Sequence, residues 1–182
     1  MSVKKVELGA IEQQIQAQSE RKQPPVHLWK PDFCGDLDMQ ITRDGRWIHE
    51  GGEIKRPAMV AMFSSILWRE DDQYFLVTPV EKVGIQVEDV PFLFTGLEVE
   101  QDAGNQRLIF TAVSGDVVVA DQDHPLRVEI NPKTGEPSPY LMVRYGMEGR
   151  LHRNVFYQLA ELAREENGQL IVESAGQQFV LG

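Results

Sequence analysis

One supersecondary order occurs twice along this chain, and no single motif restricts the fold as much. A hairpin, an amphipathic helix and a second pair of strands read from DLDMQITRDGRWIHEG through PAMVAMFSSILWRE to QYFLVTPVEKVGIQVE, and again from LRVEINPKTGEPSPYLMV through RLHRNVFYQLAELARE to GQLIVESAGQQFVL. The copies share order and pattern rather than residues, and their spacing far exceeds the roughly 20 to 50 residues of solenoid repeats. The expected fold is α+β, with duplicated hairpin-helix-hairpin lobes and mainly antiparallel sheets at residues 24–90 and 91–182, behind an N-terminal helical arm at 1–23. Two similar halves meet along a seam, and that seam is the expected place for a ligand.

Local signals support this division. Leu8, Ile11 and Ile15 recur at helical spacing in the arm, which Pro24 and Pro25 end. Leu37, Met39 and Ile41 alternate with Asp38, Gln40 and Thr42, so a strand leads into the turn Arg43-Asp44-Gly45 and Trp47 opens the return. Pro57 suits a first helical position, and the apolar spacing predicts a helix over 57–69. Strands are predicted over 74–78 and 83–87, and an antiparallel meander over 92–100, 108–113 and 117–120. A hairpin over 126–130 and 140–144 follows, then a helical stripe from Leu151 to Ala163 with Asn167-Gly168 as its stop, and two last strands over 169–173 and 178–181.

Composition narrows the function classes. Twenty-eight acidic against 18 basic residues give a formal charge of -10, which repels long nucleic acid and anionic membrane surfaces. A small anionic ligand is compatible with that charge where two or three cations make a pocket locally positive, within a Debye length of about 8 Å. No run approaches the roughly 18 apolar residues of a membrane span, and MSVKKVELGAIEQQ lacks a signal-peptide core, so the expected address is cytoplasmic. The single cysteine, Cys34, excludes an intrachain disulfide and a cysteine-cluster metal site.

Several residue groups carry chemistry. Asp36 and Asp38 lie two apart on a predicted strand and share a face, where two carboxylates hold a divalent cation, divide acid and base roles, or form a solvated or salt-bridged face. Cys34 stands in a turn-like Phe-Cys-Gly-Asp context, compatible with a reactive thiol or with a small buried hydrophobe. The four histidines form no metal-ligand spacing, and His124, just before Arg127, either binds or titrates at the seam between the copies or caps a strand turn. Lys82 and Glu81 point to opposite faces of a strand, so Lys82 either pairs with a carboxylate or meets an anionic ligand. Neither GxGxxG, GxxxxGK[ST] nor GxSxG is present, which removes dinucleotide, P-loop and hydrolase-elbow readings.

The strings PPVHLW, PDFCGDLDM, RDGRW, YFLVTPVEKVGIQVEDVPF, GDVV, DHPLRVE, PYLMVR and NVFYQL carry a resemblance that spans nearly the whole body. With them the chain resembles the bacterial domain-of-unknown-function family 1285. The resemblance implies a domain duplication with an α+β body, a second half similar to pleckstrin-homology-like folds, a ligand site between the domains for a nucleotide-like molecule, and a role in signalling. The family's arginine-containing LVRLFS segment reads MVAMFS here, so no role of that arginine passes to this chain.

The leading expectation is therefore a cytoplasmic, non-enzymatic ligand-binding or regulatory protein with no resident cofactor or metal. Its ligand is a small anionic or nucleotide-like molecule. Trp29 is expected to stack on it, Asp36 and Asp38 to accept its donors, and Lys82, His124, Arg127 and Arg144 to meet its anionic group. Two alternatives stand beside it: a metal-assisted hydrolase using Asp36 and Asp38, and a protein-interaction module that grips a protein partner by an exposed sheet edge or the arm.

Overall fold

The alternation around Leu37, Met39 and Ile41 becomes β1 (Phe33–Ile41), with these three side chains buried and Asp36 and Asp38 exposed on the other face. The computed structural model describes residues 23–182 together with Ile11, and divides into two compact units between Asp89 and Val90. The arm expected at 1–23 lies outside the described residues, apart from Gln23 and from Ile11, which is helical and buried.

In the first unit β1 turns through Asp44-Gly45 into β2 (Trp47–His49) and β3 (Gly52–Glu53). Then α1 (Pro57–Ser64) leads to β4 (Leu67–Glu70), β5 (Gln73–Val77) and β6 (Lys82–Val87). The strand order is β3-β2-β1-β6-β5-β4, antiparallel except where β1 and β6 run parallel. Helix α1 covers one face. There Trp47 and Phe63 stack with ring centroids 6.3 Å apart, each burial contributing about 1.5 to 3 kcal/mol. The helix is shorter than the 57–69 predicted from its apolar spacing. Ile66 and Leu67 are buried as expected, but Leu67–Glu70 pairs with Gln73–Val77 around the tight Asp71-Asp72 turn, and ladder bonds replace helical ones.

The second unit repeats this wiring. Strands β7 (Phe92–Asp102), β8 (Asn105–Ala112), β9 (Val117–Val119), β10 (Leu126–Ile130), β11 (Pro137–Arg144) and β12 (Met147–Leu151) form a sheet of order β10-β11-β12-β7-β8-β9. Shifting every first-unit strand number by six gives this order, including the parallel pairing of β12 with β7. The duplication is thus one of sheets, and the helix enters at different points: after β3 in the first unit, after β12 in the second. There α2 (Arg153–Glu161), its amide at Asn154 donating to His152 Nδ1, packs on β7 and is followed by a three-stranded sheet. Its strands are β13 (Arg164–Glu166), β14 (Gln169–Ser174) and β15 (Gln177–Val180). Phe94 and Phe110 meet edge to face in the core, and buried Ser174 ties β14 to β8 by accepting the Leu108 N–H at 2.9 Å. Among the described residues no helix is long and apolar enough to cross a membrane.

Candidate functional site

On the face of the first sheet that carries Asp36 and Asp38, strand pairing aligns Trp68, Phe75, Gly84 and Asp36 in one row across β4, β5, β6 and β1. Gly84 is a gap in that row. A Cβ built on it would stand less than 3.0 Å from an Asp36 carboxylate oxygen and 3.7 Å from Phe33 Cε2, so the carboxylate occupies space that only glycine leaves open. The β1–β6 register shifts on both sides of Asp36, and Gly35 adopts φ +111°; this bulge re-aims the Asp36 side chain toward Gly84.

Around the row lies a groove of about 500 Å³ whose lining includes Phe33, Asp36, Asp72, Phe75, Gly84 and Gln86. Phe33 is 56% exposed although it is a large aromatic, and its ring meets Phe75 edge to face at 6.0 Å. Phe75 also meets Lys82, whose ammonium stands 4.4 Å from the ring centroid and donates to Glu70 Oε1 at 2.7 Å. That hydrogen bond, more than the opposing effect of burial, holds the Glu70 carboxyl below its ordinary range; Trp68 Nε1 donates to the same oxygen. The groove therefore offers carboxylates, two carboxamides and apolar ring surface, while Lys82 beside it is already engaged.

The expected site residues separate between the units. Trp29 ends a short 3-10 turn (Val26–Leu28), half-buried, and does not line the groove. Asp36 does line it, Lys82 borders it, and Asp38 shares the Asp36 face. In the second unit His124 sits in a turn, its ring Nδ1 and its backbone N–H both 2.8 Å from Asp121 Oδ1. Arg127 lies over the Tyr140 ring at 4.5 Å, bonds both Glu148 oxygens at 2.7 and 2.8 Å, and also meets Glu129. These bonds raise its pKa further above the usual arginine range. Arg144 bonds Asp116 at 2.6 Å and lies 4.9 Å from the Phe92 centroid. Each of the three expected strong cations, Lys82, Arg127 and Arg144, thus carries a carboxylate, which is the structural-pairing outcome open for Lys82 in the sequence. Among the described residues no group of three or more His, Cys, Asp or Glu side chains is arranged to hold a metal ion.

Sequence reasoning missed Phe33, Glu70, Phe75 and Gly84. The usable signal was Gly84 itself, isolated inside the strand string KVGIQV, where glycine marks a close approach.

Comparison with known proteins adds family and fold. Residues 24–90 match the model described as "Domain of unknown function (DUF1285), N-terminal domain", and residues 91–181 the model described as "Protein of unknown function (DUF1285), C-terminal domain". The chain is similar to the crystal structure of a DUF1285 family protein from Silicibacter pomeroyi, with 48% identity over 92% of this chain and 93% of that one and a TM-score of 0.82. A DUF1285 family protein from Shewanella baltica is 31% identical over 69% of this chain and 91% of its own, with a TM-score of 0.54. No curated protein matches.

Proposed function

The chain belongs to the bacterial DUF1285 family, and from that premise we propose that it is a ligand-binding protein whose first unit takes a small molecule in the groove beside Asp36. One observation carries the reading: the Asp36 carboxylate, seated over Gly84 in a groove of about 500 Å³ beside a largely exposed phenylalanine. An acidic side chain in a bulged strand, a glycine that clears its space and an exposed aromatic ring are ingredients of recognition. A sheet face that only met water would need none of them. The groove is of the size that small-molecule sites occupy, roughly 300 to 1,000 Å³. A cytoplasmic address and a regulatory role form part of the same proposal; the single cysteine, Cys34, fits a reducing compartment.

The partnered state of Lys82, Arg127 and Arg144 favours this groove over an anion site built on those cations, because an anionic ligand would have to displace a carboxylate from each. The test is native mass spectrometry of gently purified protein together with thermal shift against amines, nucleotides, phosphorylated metabolites and neutral polyols. The proposal expects a stabilising compound whose effect Asp36→Asn weakens and Gly84→Ala removes. A stabilisation indifferent to both and removed by Arg127→Ala or Arg144→Ala overturns it. So does a protein that no compound moves, an outcome that favours an interaction module.

A further inference from the structure

Lys82 shows which chemistry this sheet face accommodates. Its ammonium is held between the ring of Phe75 and the carboxylate of Glu70, an aromatic face and an anion one strand apart. Across Gly84 the same pair of groups recurs. Phe33 presents an exposed ring and Asp36 a carboxylate, and both approach the Gly84 backbone from β1. Here no lysine, arginine or histidine of the described residues pairs with the carboxylate, whereas nearby Asp72 stands 3.8 Å from Arg69.

From this recurrence we infer that the ligand of the groove is an organic cation, a small molecule bearing an alkylammonium group that Asp36 and Phe33 receive as Glu70 and Phe75 receive Lys82. The inference rests on the groove reading above and names its ligand class. Asp36 accepts a charge-assisted hydrogen bond from the ammonium, and the Phe33 ring takes the adjoining carbon atoms and part of the positive charge. The carboxamides of Gln73 and Gln86, both lining the groove, offer acceptors to further donors on the same molecule. The formal charge of -10 draws cations toward the surface and repels anionic competitors, an effect that weakens as salt rises.

The experiment uses the intact chain and three probes of equal length: n-butylammonium, n-butanol and n-butyrate. Binding is followed through the amide resonances of Gly84 and its neighbours. The inference expects n-butylammonium to bind at least about tenfold more tightly than n-butanol, with n-butyrate weaker still. Asp36→Asn should remove most of that preference, and Phe33→Leu, which keeps apolar volume without the ring, should reduce it several-fold. Equal binding of the ammonium and the alcohol, or an ammonium preference that survives Asp36→Asn, overturns the inference. The two readings fail differently. If n-butylammonium leaves Gly84 unmoved while another compound of the thermal-shift panel moves it, the ligand class falls and the groove stands; if no compound moves Gly84, both fall.

Discussion

Adding one methyl group at Gly84 and one at Gly149 should produce opposite kinds of damage, although each clashes in the wild-type geometry. At Gly84 the new Cβ would stand less than 3.0 Å from an Asp36 oxygen, the end of an exposed side chain that can rotate away. The rotation costs about 0.5 to 1.5 kcal/mol at most. Gly84 does not have a positive φ, so alanine also lowers the entropy of the unfolded chain, worth about 0.4 to 1 kcal/mol in the other direction. Gly84→Ala should therefore change stability by less than about 1 kcal/mol while closing the place where the carboxylate sits. At Gly149 the Cβ would meet the fully buried Phe94 ring, with Cδ2 at 2.8 Å, and Phe92 Cβ at 2.9 Å, so no neighbour can yield. Overpacking of that kind costs about 1 to 3 kcal/mol. The three tryptophans, Trp29, Trp47 and Trp68, all belong to the first unit, so their fluorescence in urea reports Gly84→Ala, and far-UV circular dichroism or hydrogen exchange reports Gly149→Ala. A Gly84→Ala loss above about 2 kcal/mol would show that Asp36 is locked in place rather than poised. A neutral Gly149→Ala would refute the packing argument for the β12–β7 seam.

Other consequences follow from single bonds. Ser174→Ala leaves the buried Leu108 N–H without its acceptor and should lower the stability of the second unit by about 1 to 3 kcal/mol, read by hydrogen exchange in β8. Asp116→Ala strips the mostly buried Arg144 of a carboxylate and Ser114 of an acceptor; a loss of about 2 to 3 kcal/mol in urea denaturation is expected, and Asp116→Asn should recover part of it. Lys82 depresses the Glu70 pKa below 4.5, so this pair stabilises the fold above that value and its contribution disappears as pH falls through the lower folded-state value. The stability gap between wild type and Glu70→Gln, less than about 1 kcal/mol at neutral pH for so exposed an acid, should vanish in acid; a gap that widens there contradicts the assignment.

The sequence carried the local pattern further than the pairing. Period two placed Asp36 and Asp38 on one face, and Asp44-Gly45 marked a true turn, because alternation and backbone chirality are local properties. Asn167-Gly168 was legible only as a helix stop, yet Glu166 pairs with Gln169 and the dipeptide closes a two-residue hairpin, the turn that Asn-Gly favours most. Strand β12 was hidden because Gly146 and Gly149 dilute its apolar signal; those glycines admit a turn and the neighbouring Phe94 ring. The parallel pairings of β1 with β6 and β12 with β7 join residues far apart in sequence, and no local signal encodes them. The groove depends on one of these pairings. Asp36 and Lys82 were legible as unusual residues, but the row that sets Asp36 against Gly84 and Phe75 exists only once β1 lies beside β6.

Amide-shift mapping of the strongest binder from the thermal-shift panel, titrated into the intact labelled chain, tests the central claim most directly. The account predicts shifts concentrated on Phe33, Asp36, Phe75, Gly84 and Gln86, and their loss in Gly84→Ala. Shifts gathered around Arg127 and Arg144 instead, unchanged by Gly84→Ala, would contradict it.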